Sequence, residues 1–244
     1  MINDSNALNN ADFFAVKLPQ QANRPNQSAG MGLSRRQQTY IHPSWLAKAL
    51  AGDRQCMFSL HTQANYSIPK ADNGFDAQGY KLKHQAALTQ YAKELKTEGY
   101  TVYTEGSNDF KYETKFGAII SAKPDIVAVR ADEVIVPDIK AGKELKASDI
   151  AQVKLYMALI PTVGLHGIRE IPAGQLVHKG EIFDISPAEI TIEFKRQVAE
   201  LVKDMKTANT PPVTPSVQEC RWCPLRHLCP DRLEIVAKGT DGWL

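Results

Sequence analysis

The sequence predicts a mixed α/β fold, a central sheet flanked by helices, and two patterns predict it. Four consecutive segments between Tyr100 and Lys140 are rich in aromatic and β-branched residues and are separated by Gly, Asn and Asp turns. Helix-period segments stand before and after them, so the chain supplies both the sheet and the layers that cover it. Composition permits such a core. The 244 residues are 43% hydrophobic and 23% charged, with 15 Gly and 14 Pro, which excludes disorder throughout, a collagen-like chain and a disulfide-stapled miniature protein. One large domain, or a domain with a small appendage, is expected at this length.

Residues 1–33, dotted with Asn3, Asn6, Asn9, Asn10, Asn23 and Asn26, read as a flexible N-terminal arm without chemistry of its own. The segment 34–72 is helical: a short helix from Pro43 is interrupted at Gly52 and followed by an apolar stretch that carries Cys56. The core spans 73–209. A glycine-marked loop at 72–79 leads into a helix over 80–99 that Gly99 ends. Strands are expected at Tyr100–Glu105, Phe110–Thr114, Ala118–Arg130 and Val134–Lys140, then a helix from Ser148 with Asp149 in its first turn. Two further strands, Gly164–Glu170 and Gly174–Ile185, precede a helix opened by Ser186 and Pro187. Thr210, Pro211, Pro212 and Pro215 begin a C-terminal linker, 210–244, that ends in clustered cysteines.

Charge and cysteine usage narrow the function. With 29 basic against 27 acidic residues the net charge is +2, so any contact with nucleic acid must be local. No apolar run approaches the roughly 18 residues of a membrane span, and MINDSNALNN lacks the basic and apolar blocks of a signal peptide. The expected location is the cytoplasm, with no membrane partner. There, Cys56, Cys220, Cys223 and Cys229 read as metal or cluster ligands more naturally than as disulfides.

The hairpin KPDIVAVRADEVIVPDIK carries the chemistry. A turn centred between Ala131 and Asp132 pairs Val129 with Val134, Val127 with Val136 and Asp125 with Asp138. Period-two alternation then puts Lys140 on the face of Asp138. Opposed carboxylates repel, and a hard divalent cation resolves the conflict. A lysine beside such an ion can act on water and balance charge on a phosphate. A solvated strand end with an ion pair is the plainer alternative. His84 lies on the inward stripe of Leu88, Tyr91 and Leu95, either as a buried hydrogen-bonded histidine or as a further metal ligand, one that would admit manganese beside magnesium. On the following helix Gln152 and Tyr156 share a polar face with Asp149, while Ile150, Val153, Met157 and Ile160 form the core stripe.

In order, G-x4-H at Gly79 to His84, PD at Pro124 and Asp125, D-x-K at Asp138 to Lys140 and Q-x3-Y at Gln152 to Tyr156 resemble the RecB-type branch of the PD-(D/E)XK nucleases. Cys56 before the core and C-x2-C-x5-C after it resemble the iron-sulfur members, which include the CRISPR-associated RecB-like exonucleases and the AddB nuclease. The resemblance covers residues 40 to 230. It implies a restriction-endonuclease-like core, with His84, Asp125 and Asp138 binding magnesium or manganese and Lys140 serving catalysis. Gln152 and Tyr156 would help to hold site and DNA, and Cys56, Cys220, Cys223 and Cys229 would bind a 4Fe-4S cluster that ties the chain's end to its beginning. The implied activity is a DNA exonuclease working on single strands or ends, in CRISPR spacer acquisition or with phage or host recombination proteins. Asp138 stands where many relatives carry Glu, and no helicase motif is present. That leaves a standalone nuclease or one subunit of a larger machine.

Other readings stay open at this level. A local zinc knuckle of Cys220, Cys223, His227 and Cys229 would leave Cys56 an ordinary thiol and make the chain an adaptor. A noncatalytic DNA-binding subunit could keep the fold alone, although the acid, acid and lysine set is intact. Arg221, Trp222 and Arg226 among the cysteines, with Arg35, Arg36 and Tyr40 ahead of them, make two basic and aromatic patches of the kind that grips single strands. A solvated rim with a buried Trp222 is the alternative.

Overall fold

A computed structural model describes residues 31–69, 76–214 and 216–233. The arm through residue 30, much of the loop expected at 72–79, and the end of the chain from 234 lie outside the described residues. In chain order the elements are β1 (Ser34–Arg35), β2 (Tyr40–Ile41), α1 (Pro43–Leu50), α2 (Met57–Asn65), β3 (Tyr66–Ser67), α3 (Ala77–Thr97), β4 (Thr101–Thr104) and β5 (Phe110–Glu113). There follow β6 (Ile119–Ala122), β7 (Ile126–Arg130), β8 (Glu133–Lys140), α4 (Ala147–Val163), β9 (Ala173–His178), β10 (Glu181–Ile185), α5 (Ile192–Lys206) and α6 (Val217–Arg221).

The mixed α/β expectation agrees with this architecture. A five-stranded sheet runs β10, β9, β8, β7, β4, in which only the β8 and β9 pair is parallel. A parallel neighbour requires a crossover, and α4 supplies it between β8 and β9. Side-chain alternation along β8 then sorts the core into layers. Ile135 and Ile139 pack with Ile126, Ala128 and Val177 against Leu88, Tyr91 and Leu95 of α3. Val136, one residue out of phase, packs with Val127 against Tyr156 and Ile160 of α4. Beyond α4 lie α1, α2 and α5, whose Leu46, Leu60, Val202 and Met205 join the largest buried cluster. A smaller sheet of β2, β6 and β5 and a two-stranded ribbon of β1 and β3 complete the fold. No helix among the described residues is long and apolar enough to cross a membrane.

Several local expectations are corrected. The single strand expected over Ala118–Arg130 is two, β6 in the small sheet and β7 in the large one. Pro124 between them lacks the N–H a ladder needs, so the chain changes sheet there. Gly164–Glu170 is not a strand. Gly164, at φ 64°, caps α4, and one 3-10 turn follows at Leu165–Gly167. Gly174–Ile185 is a hairpin, turned by Lys179 and Gly180 at φ 53° and 84°. The apolar stretch after Gly52 is helix α2, with Cys56 at its N-cap. Helix α4 begins at Ala147, one residue before the expected Ser148, and the Asp149 side chain accepts from the Lys146 N–H. Ile150, expected in the core stripe, is 43% exposed, and Tyr156, expected on a polar face, is buried.

Candidate metal centre and cysteine cavity

The hairpin register holds where the ladder exists: Val129 pairs with Val134 and Ala128 with Ile135. Asp125 stands one residue before β7, so it reaches β8 through its side chain. Its Oδ2 accepts from the Ile139 N–H at 2.8 Å and stands 3.0 Å from His84 Nε2 on α3. Tyr80, one turn earlier, stacks on the His84 ring. The hydrogen bond to Asp125 raises the His84 pKa above its ordinary value, against burial, which lowers it.

Asp138 is 2% exposed. Burial pushes its carboxyl up to about 6, with Asp125 and Asp149 adding to the rise and Lys140 opposing it. Lys140 Nζ lies 2.7 Å from Asp138 Oδ2 and 3.5 Å from Asp149 Oδ1. Burial works against its charge, yet the surrounding carboxylates prevail and hold its pKa up to about 12. The same ammonium donates to Gln152 Oε1 at 3.4 Å, and Gln152 Nε2 donates to the Tyr156 hydroxyl at 2.9 Å. Tyr156 is buried and stays a neutral phenol, because burial raises its pKa far above the ordinary value. The structure thus gathers His84, Asp125, Asp138, Lys140, Gln152 and Tyr156 in one place, where the β7 and β8 strand ends meet α3 and α4.

The sequence did not single out Glu105. Ligand atoms of His84, Glu105 and Asp125 all lie within 4.8 Å of one another, a set that fits a divalent cation. Glu105 directly follows β4, the strand that pairs with β7, and no spacing motif marks it. Asp138 is turned instead toward Lys140. A buried carboxylate that titrates high and an imidazole hydrogen-bonded to a second carboxylate are groups a cation would relieve. Lys123, between Glu105 and Asp109 at 3.7 and 3.8 Å, supplies positive charge at the rim.

The cysteines form a second centre. Cys56, Cys220, Cys223 and Cys229 are free thiols that line one cavity together with Arg54, Phe58, Ser59, Leu225, Arg226 and Arg232. His227 is not among the lining residues. Burial raises the Cys56 and Cys229 thiols above their ordinary range. Ser59 Oγ lies 3.3 Å from Cys223 Sγ, and the Gln55 N–H donates to the Glu219 carboxylate. The two contacts join α2 and the residue just before its N-cap to the C-terminal segment. Met31 and Leu33 pack on the cluster of Cys56, Phe58, Leu225 and Cys229, so the chain preceding Arg35 and Arg36 borders the cysteine region. Arg35, Arg36, Arg221 and Arg226 are exposed. Trp222 is 58% exposed with Arg221 over its ring at 5.1 Å, so the buried alternative for Trp222 is excluded.

A family model described as the PD-(D/E)XK nuclease superfamily matches residues 46–230. The crystal structure of SSO0001 is similar at 14% identity and a TM-score of 0.40, covering 85% of this chain and 93% of that one. No curated protein matches the chain.

Proposed function

The chain belongs to the PD-(D/E)XK nuclease superfamily, and from that premise we propose that it is a divalent-metal-dependent deoxyribonuclease, an exonuclease acting on single strands or DNA ends. The observation that carries the reading is the convergence of His84, Asp125 and Asp138 with the Lys140 ammonium at one point of the sheet. Metal-dependent nuclease chemistry follows from the superfamily, and magnesium or manganese is the metal such enzymes use.

In this reading His84 and Asp125 hold the ion together with Asp138, whose carboxylate also pairs with Lys140, and Glu105, gathered with His84 and Asp125, is an additional carboxylate ligand. When bound, the ion supplies Lewis acidity to the phosphate and a lowered pKa for water. The protein's own groups do the rest. Lys140, kept cationic by Asp138 and Asp149, orients the attacking water and balances charge that grows on the phosphate. Gln152 holds the Lys140 ammonium, and Tyr156 holds Gln152. The fixed Ile139 N–H keeps the Asp125 carboxylate turned toward the site. Arg35, Arg36, Arg221, Trp222 and Arg226 offer phosphate charge and a stacking ring for the strand.

The four cysteines bind a 4Fe-4S cluster in this proposal, as in the iron-sulfur RecB-like exonucleases. Cys56 lines the cavity and His227 does not, which supports the four-cysteine set over the zinc knuckle. The setting this implies is CRISPR spacer acquisition, and a phage or host recombination pathway would use the same chemistry. The test is cleavage of end-labelled single-stranded DNA by anaerobically purified protein, with and without manganese. Manganese-dependent shortening of the strand is expected, and no cleavage under any divalent ion overturns the reading.

A further inference from the structure

We propose that Asn108, held by His166, is a positioning residue that sets the Asp125 carboxylate for metal binding. Asn108 lies in the turn between β4 and β5 and is fully buried. Its Nδ2 donates to the Tyr103 carbonyl at 3.0 Å and to the Pro124 carbonyl at 3.2 Å. Both amide protons are used, so Oδ1 is left as the acceptor for His166 Nε2, at 2.8 Å. His166 therefore carries its proton on Nε2. Its ring stacks on Tyr103 at 3.7 Å with the planes 10° apart.

The node joins three segments: the end of β4, the Pro124–Asp125 peptide that enters β7, and the turn after α4. The Pro124 carbonyl belongs to the peptide unit that carries the Asp125 N–H, so fixing it fixes the plane from which the Asp125 side chain departs. Tyr103 lies two residues before Glu105, so the same amide restrains the second carboxylate near His84. His166 comes from the turn after α4 and is held at φ 51°, a left-handed conformation that costs a non-glycine residue energy. The break at Pro124 removes Lys123 and Asp125 from strand pairing. Asn108 replaces the missing ladder at the point where a ligand must be rigid.

The inference rests on Asp125 being a metal ligand, and the experiment separates the two. Manganese binding to the full-length chain is followed by the electron paramagnetic resonance signal of the free ion, beside the manganese dependence of cleavage and the metal-free unfolding midpoint. Asn108→Ala and His166→Phe are expected to need roughly tenfold more manganese for half occupancy, the lower end of the effect of removing an outer partner of a ligand. His166→Gln keeps a donor for Asn108 Oδ1 and is expected within about twofold of wild type. A purely structural role would instead lower the unfolding midpoint of all three and leave the affinity of the folded fraction unchanged, which overturns the proposal. If Asn108→Ala does not fold, His166→Phe against His166→Gln decides, and equal affinities for that pair overturn it. Asp125→Ala is the control. Wild-type manganese affinity in that variant removes the metal-ligand reading and the inference with it, whereas a loss there with Asn108→Ala and His166→Phe unchanged removes the inference alone.

Discussion

At the scale of single residues, the balance around Asp138 decides what substitutions do. Asp138→Ala leaves Lys140 beside Asp149, 3.5 Å away, so no cation is orphaned and the fold persists. Asp125→Ala likewise removes a charge that raises the Asp138 pKa. Both variants are expected to lose at least about a hundredfold in divalent-dependent cleavage, roughly 2.7 kcal/mol of barrier. Rates within tenfold of wild type in both would overturn the assignment of the carboxylates. Lys140→Ala is expected to lower turnover more than DNA affinity, and equal losses measured by single-turnover kinetics and binding would make it a phosphate grip instead. His61 gives a pH dependence away from the site. It is 3% exposed, its Nε2 donates to the Thr207 carbonyl, and its Nδ1 has no partner among the described residues. Burial therefore lowers its pKa from 6.5. Below that value the unfolded chain takes up a proton that the folded chain resists, so stability falls as pH drops, by at most about 1.4 kcal/mol per unit. Urea titrations at pH 7.5 and 5.5 should show a smaller difference for His61→Gln than for wild type. An unchanged difference would place the acid sensitivity elsewhere.

At the scale of elements, the approach of α4 to β9 positions the Gln152 and Tyr156 pair. Gly174 on β9 allows that approach: a Cβ there would stand 2.5 Å from Met157 Sδ and 2.6 Å from Val153 Cγ1. Gly174→Ala is expected to cost about 1–3 kcal/mol through overpacking. Val153→Ala in the same chain should recover part of it by opening space on α4. Denaturant midpoints of the two single variants and the double variant measure this, and strict additivity would mean that the two side chains do not meet. Helix α3 acts at the same level on the opposite face, where Leu88, Tyr91 and Leu95 anchor it and so hold His84 over Asp125.

At the scale of the whole molecule, the cysteine cavity joins segments more than 160 residues apart, Cys56 at the N-cap of α2 and the three cysteines around and after α6. Protein purified without oxygen is expected to be brown, to hold about four irons per chain and to need all four cysteines. Cys56→Ala separates the alternatives because the local zinc site does not use it. Under the cluster assignment the variant is colourless and protease-sensitive or insoluble, since the C-terminal segment loses its tie to α2. One zinc, no iron and unchanged metal content in Cys56→Ala would establish the knuckle instead.

Much of this was legible in the sequence because the signals are local. Period-two alternation and a two-residue turn gave the Val129 and Val134 register, and helix periodicity aimed His84 inward toward the sheet. The motifs Pro124-Asp125, Asp138-x-Lys140 and Gln152-x3-Tyr156 named residues that the fold brings together. The misread elements lay where tertiary context overrides local pattern. β-branched residues stand on both sides of Pro124, and although the proline marks a break, only the partner strands reveal that the chain passes to another sheet there; Ile150 faces outward, where helix periodicity alone had set it in the core stripe. Glu105, Asn108 and His166 could not be read from one dimension at all. Their roles come from hydrogen bonds and proximity between segments distant in the chain, Asn108 to Pro124 16 residues apart and Asn108 to His166 58 apart, which no periodicity records. The local pattern was therefore enough for the mixed α/β class and for naming the acids, the lysine and the cysteines that the structure brings together. Tertiary structure decided which carboxylate faces His84, which pairs with Lys140, and what holds the Pro124–Asp125 peptide in place, because these depend on side-chain packing between elements distant in the chain.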